Sequence, residues 1–167
     1  MAPRLVLIGP MGAGKSAVGA AIAAELNCDF ADTDALIEVD QKKSVSDIFV
    51  EDGEPHFHIV EESIVIDALL AENGVLSLGG GAVMNEEVAR ALKDSSAKKV
   101  FLDISLTAVA PRVGFDSARP LLMVNPRQKW AELMSARRPT YEELADLTID
   151  VSDLSIPEIV SKIVGTL

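Results

Sequence analysis

Short apolar runs alternate along the chain with longer stretches whose apolar positions recur every three or four residues. The run "RLVLI" (4–8) predicts a strand, and Val18, Ile22 and Leu26 fall on one face of a helix from Lys15 to Leu26. "CDFA" (28–31) leads into a second helix around Ala35 to Lys42, and Pro55 opens a third that runs to about Leu70. "GVLSL" (74–78), "KKVFLDI" (98–104) and "LTIDV" (147–151) read as further strands, the last followed by a helix from Pro157. Strand and helix alternate throughout, which predicts an α/β fold with a parallel five-stranded sheet flanked by helices.

Composition narrows what such a fold can be doing. A length of 167 residues suits a single domain spanning 1–167, and 49% hydrophobic against 25% charged residues suits a packed core rather than a disordered chain. There is no internal repeat and no linker. The one cysteine, Cys28, cannot close an internal disulfide, and the first residues lack the basic, apolar and small-residue succession of a secretory signal, so a cytoplasmic location is expected. No apolar run approaches the roughly 20 residues of a membrane span, so no membrane partner is expected. A net charge of -11 repels a phosphate backbone and argues against nucleic acid, although it does not bar small anions.

The segment between the first strand and the first helix carries the most specific chemistry. "GPMGAGKS" (9–16) fits the G-x-x-x-x-G-K-[ST] pattern with a strand before it and a helix after it. Gly12 and Gly14 let the backbone of Gly12, Ala13, Gly14, Lys15, Ser16 and Ala17 wrap closely around an oligophosphate, with amide N–H groups and the positive helix end aimed at it. Lys15 would bridge the β- and γ-phosphates of ATP, and the Ser16 hydroxyl would coordinate Mg2+.

Three later features bear on what accepts the phosphate. "DTD" (32–34) follows the second strand, at the carboxyl edge where open parallel sheets bind ligands. An aspartate ahead of an apolar-periodic segment also caps helices, so these residues alone leave cap and ligand both open. "LGGGAV" (78–83) ends another strand with three consecutive glycines, where a ligand could touch the backbone. "SARPLL" (117–122) and "ARRPTY" (136–141) set arginines beside prolines, and residues 112–138 hold six Lys or Arg against two Asp or Glu in an otherwise acidic chain. Such an electropositive segment suits a lid over ATP and an anionic acceptor, and equally a solvated basic helix.

With these motifs in this order the sequence resembles the shikimate kinases, small P-loop enzymes that phosphorylate the 3-hydroxyl of shikimate with ATP. The resemblance covers nearly the whole chain and implies a three-layer P-loop NTPase-type fold with a mobile lid. The lid would span approximately 112–124, and the acceptor-binding segment approximately 33–62. By that resemblance Asp34 contacts and deprotonates the acceptor hydroxyl, Asp32 holds Mg2+ through water, Gly80 and Gly81 lie against the substrate, and Arg137 grips its carboxylate. Arg119 matches the lid arginine that reaches the transferring phosphate, and Arg112 matches the arginine packed against adenine. Phe49, Phe57, Pro120 and Leu121 would form the apolar wall of the pocket, and the enzyme would work as a monomer.

"GEPHFHIVEE" (53–62) holds both histidines. Positions 56 and 58 point to different faces of a helix, and no cysteine or further histidine completes a zinc set, so a metal reading fails. His58 occupies the place where the family carries an arginine that shares the substrate carboxylate with the partner matched by Arg137. Imidazole is shorter, carries at most one positive charge and cannot present a guanidinium fork. His56 is expected at the surface or pocket rim. After the last strand, "VSDLS" (151–155) also lacks the arginine that many relatives place near adenine. Two other readings share the P-loop: a kinase for another small acceptor such as gluconate or a nucleoside monophosphate, and a nucleotide-binding relative weakened in phosphoryl transfer by His58.

Overall fold

The computed structural model describes residues 3–71, 73–113 and 125–167. Its strands are β1 (Leu5–Ile8), β2 (Phe30–Asp32), β3 (Val75–Ser77), β4 (Lys98–Asp103) and β5 (Leu147–Asp150). They form one sheet in the order β2-β3-β1-β4-β5, and every pairing is parallel. All four residues of β1 are buried, as expected of a central strand covered on both faces. The helices are α1 (Lys15–Leu26), α2 (Thr33–Gln41), α3 (Val45–Glu51), α4 (Glu54–Ala71), α5 (Glu86–Asp94), α6 (Leu106–Val113), α7 (Pro126–Leu144) and α8 (Ile156–Val164). A 3-10 turn, Ala82–Met84, follows the glycine run. Among the described residues no helix is long and apolar enough to cross a membrane.

Local chemistry accounts for most element boundaries. Side chains of Ser44, Asn85 and Ser155 each accept from an amide in the first turn of α3, α5 and α8, and Ser155 with Glu158 closes a reciprocal capping box. Gly19, on the inner face of α1, meets the Phe30 ring so closely that a Cβ there would lie 2.5 Å from a ring carbon. That contact seats α1 against the strand layer.

Sheet register puts the chemistry at one edge. Ser77 pairs with Leu7 on one side and with Asp32 on the other, so β1, β2 and β3 end level with one another. The loops that follow them, carrying residues 9–16, 33–34 and 78–81, therefore emerge side by side at the carboxyl edge. A main core surrounds the sheet, and a smaller one of Ile37, Ile48 and Phe57 ties α2, α3 and α4 together.

Four helices were not among those the pattern predicts. The structure adds α3, α5, α6 and α7, and α7 continues through Pro139, whose missing N–H would ordinarily mark a helix end.

Candidate active site

The segment after β1 is a P-loop in geometry as well as sequence. Gly9, Gly12 and Gly14 adopt φ of 144°, 85° and 90°, a region that favours glycine, and a Cβ on Gly9 would lie 2.5 Å from the Leu102 carbonyl oxygen. Lys15 folds back over the loop and donates to the carbonyls of Gly9 (2.8 Å) and Pro10 (3.0 Å). Arg112, near the end of α6, donates to the Gly12 carbonyl at 3.1 Å, and the Trp130 indole on α7 donates to that of Met11 at 2.9 Å. Two helices, α6 and α7, thus hold the loop from outside.

The Ser16 hydroxyl donates to the Asp32 carboxylate, bringing together two oxygen ligands beside the P-loop. Hard oxygen donors next to a phosphate cradle fit Mg2+, which binds through one or two protein oxygens and substrate phosphates. Asp32 also caps α2, accepting from the amides of Asp34 (2.9 Å) and Ala35 (3.2 Å). The two readings of this residue are compatible, because one oxygen serves the helix and the other faces Ser16.

The glycine run gathers the acceptor side. A Cβ on Gly79 would lie 2.7 Å from an Asp34 carboxylate oxygen and 3.3 Å from one of Glu61. A Cβ on Gly80 would lie 3.2 Å from Arg137 Nη1, 3.5 Å from the Gly9 carbonyl and 3.6 Å from the Met11 nitrogen. On Gly81 it would lie 2.8 Å from Arg137 Nη2. The run is glycine because side chains and P-loop backbone close in on it from three directions. The Gly79 amide donates to the buried Thr33 hydroxyl at 3.1 Å, which fastens the run to the start of α2.

Of the residues expected from sequence, the structure brings together Gly12, Ala13, Gly14, Lys15, Ser16, Ala17, Asp32, Asp34, Gly80, Gly81, Arg112 and Arg137 around this edge. Arg119, Pro120 and Leu121 lie outside the described residues, as does most of the lid segment. Phe49 and Phe57 meet with ring centroids 4.7 Å apart in or against the small core beneath the acceptor helices. His56 faces Gln41 across 3.1 Å at the surface, as expected.

His58 is held differently from the expectation. Its Nε2 lies 3.2 Å from Glu54 and its Nδ1 3.3 Å from Glu61, so both ring nitrogens face carboxylates. Only a protonated imidazole can donate to both.

Glu61 and Tyr141 belong to the site and were not identified from the sequence. Glu61 is 4% exposed, and burial together with the neighbouring Asp34 charge pushes its carboxyl up to about 6, against the pull of His58 and Arg137. Its signal was present: Phe57, Glu61 and Val65 are spaced by four, so a glutamate interrupts the apolar face of α4. Tyr141 is fully buried, with its hydroxyl donating to the Gly80 carbonyl at 2.5 Å.

Comparison with known proteins agrees with this geometry. The family model for shikimate kinase matches residues 11–167. The chain is 47% identical over 151 residues to a shikimate kinase of Thermobifida fusca, an alignment covering 90% of this chain and 87% of that one. Among solved structures, a shikimate kinase from Acinetobacter baumannii in complex with shikimate superposes with a TM-score of 0.94 at 33% identity, covering 99% and 93% of the two chains. A gluconokinase from Sinorhizobium meliloti superposes with a TM-score of 0.60 at 21% identity, covering 96% and 88%, and shares the fold alone.

Proposed function

The chain belongs to the shikimate kinase family, and from that premise we propose that it transfers the γ-phosphoryl group of ATP to the 3-hydroxyl of shikimate, a step toward chorismate and the aromatic amino acids. The observation that carries this reading is the convergence on one glycine run of a carboxylate (Asp34), a guanidinium (Arg137) and the P-loop backbone. A small acceptor bearing both a hydroxyl and a carboxylate matches that set. Gluconate also bears both, and for it the support stops at the level of fold.

Asp34 orients the acceptor hydroxyl and accepts its proton as the oxygen attacks, while Arg137 holds the acceptor carboxylate. Gly80 and Gly81 leave room for the acceptor ring against the backbone. Lys15, released from the Gly9 and Pro10 carbonyls, spans the β- and γ-phosphates, and with Arg119 neutralises charge on the transferring group. Ser16 and Asp32 are the residues that would hold Mg2+, which would supply further neutralisation of the phosphate oxygens. Arg112 packs on the adenine side, and the lid excludes water to limit idle ATP hydrolysis. All these groups come from one chain, which is consistent with a monomer, and the reading places the enzyme in the cytoplasm.

A coupled ADP-release assay with shikimate, gluconate and a nucleoside monophosphate tests the assignment. Turnover with shikimate alone is expected, with phosphorus NMR showing a single 3-phosphate product. Turnover of gluconate or of the nucleotide at a comparable rate would reassign the acceptor.

A further inference from the structure

Arg137 and Tyr141 stand one helical turn apart on α7 and share a face. The Tyr141 hydroxyl donates to the Gly80 carbonyl, and the Arg137 guanidinium lies against the same residue, with Nη1 3.2 Å from where a Gly80 Cβ would sit. Phenol and guanidinium thus meet the glycine run at one peptide. Because a trans peptide sets its C=O and N–H on opposite sides, fixing the Gly80 carbonyl toward Tyr141 turns the Gly81 amide away from it.

The tyrosine is itself held from two sides. Its ring lies against Phe101 of β4 with centroids 5.0 Å apart. Next to Arg137, Arg138 makes a two-pronged bond to Asp103 at the end of β4, with both distances 2.9 Å, and its guanidinium sits over the Phe101 ring. Helix α7 is therefore fixed against β4 at the turn that presents Arg137. Burial pushes the Tyr141 phenol up to about 12, so the hydroxyl stays a donor across the working pH range.

We propose that Tyr141 is a positioning residue for the acceptor: its hydroxyl fixes the Gly80 peptide against the Arg137 guanidinium so that carboxylate grip and glycine run act as one unit. The inference rests on the reading of Arg137 as the ligand of the shikimate carboxylate. Tyr141 touches no reacting atom, so its removal changes acceptor binding and leaves phosphoryl transfer intact.

The test is steady-state kinetics of Tyr141→Phe with shikimate and ATP, beside Arg137→Met, the double variant and Phe101→Leu. Tyr141→Phe keeps the ring against Phe101 and deletes one oxygen. Its KM for shikimate should rise about tenfold, the scale of one buried hydrogen bond left unmade, with kcat and the KM for ATP within about twofold. In the Arg137→Met background the same change should raise that KM less than about threefold, because a partner already lost cannot be mispositioned. Phe101→Leu, which loosens the packing and spares the hydrogen bond to Gly80, should lower Tm without raising the KM for shikimate. The inference is overturned if Tyr141→Phe leaves that KM unchanged, if its effect is undiminished when Arg137 is already absent, or if Phe101→Leu raises the KM as much for the same loss of Tm. Failure of the unmodified enzyme to use shikimate is a separate result, and it removes the acceptor assignment together with this inference.

Discussion

Asp34 and Glu61 face each other across Gly79: both would fall within 3.3 Å of a single Cβ placed on that glycine. Two carboxylates approaching one point of a half-closed cleft cannot both ionise freely. Asp34 belongs to the first turn of α2, whose amide N–H groups favour negative charge, while Glu61 sits in the interior face of α4. Burial and the neighbouring Asp34 charge make Glu61 the carboxyl that holds its proton longer than usual.

That shift has a stability signature. Glu61 titrates near 4.5 in an unfolded chain and at about 6 in the folded one, chiefly through burial and secondly through Asp34. A carboxyl raised on folding keeps its proton in the native state after the unfolded state has lost it, so its contribution to stability declines as pH rises from about 4.5 to about 6. At about 1.4 kcal/mol per pKa unit the full penalty is on the order of 2 kcal/mol. Glu61→Gln removes it. Urea titrations should show the stability of the variant, relative to the unmodified protein, improving by about 1 kcal/mol from pH 5 to pH 7. A pH-independent difference would mean that Glu61 is already ionised in the fold.

The nucleotide site and the acceptor site differed in how much the sequence disclosed. "GPMGAGKS" is contiguous, so spacing alone conveys its geometry, and α1 begins and ends where the apolar positions put it. The sheet was legible for the same local reason. The tie from Tyr141 to Gly80 spans 61 residues and that from Trp130 to Met11 spans 119, and nothing in a local pattern announces such pairs. Helix α5 was readable, with Asn85 as cap and Val88 and Leu92 on one face, and went unread. Helix α7 was masked by Pro139, which is accommodated here in a helix already anchored by Arg138 and Trp130.

Lys15→Ala should separate catalysis from folding. Its ammonium donates to two loop carbonyls, an arrangement worth about 1 kcal/mol, so differential scanning calorimetry should register a Tm loss of only about 2–4 °C. Turnover of ATP should fall at least about 100-fold, because a positioned cation at the developing charge is lost. Retained turnover in a folded variant would dismiss the P-loop as the ATP site.

Gly81→Ala probes the acceptor side through sterics. The backbone there has φ of -92°, which alanine adopts without strain, but the new methyl would sit 2.8 Å from Arg137 Nη2. The flexible end of the arginine can move aside, so the fold should survive with Tm little changed. The displaced guanidinium should raise the KM for shikimate by about tenfold or more while the KM for ATP stays constant. If both constants moved together, the methyl would be disturbing the P-loop rather than Arg137.

His58→Arg tests whether position 58 serves the acceptor carboxylate. Both ring nitrogens of His58 are engaged by Glu54 and Glu61, which leaves no N–H for the acceptor carboxylate. The imidazole helps the acceptor only through charge, and only while protonated, within a cluster that also holds Asp34 and Arg137. An arginine has five donors, enough to serve Glu61 and still present a fork to the acceptor. One added bond between charged groups is worth about 1.5–3 kcal/mol, so the KM for shikimate should fall by roughly 10- to 100-fold, with the KM for ATP little changed. The pH profile should change with it. Lowering pH from 8 to 6 begins to neutralise Glu61, which favours a bound carboxylate, so the unmodified enzyme should bind shikimate better at pH 6. The arginine variant, which pairs Glu61 more firmly, should show a shallower dependence. A KM for shikimate indifferent to both the substitution and the pH would place position 58 outside the acceptor site and leave the carboxylate to Arg137.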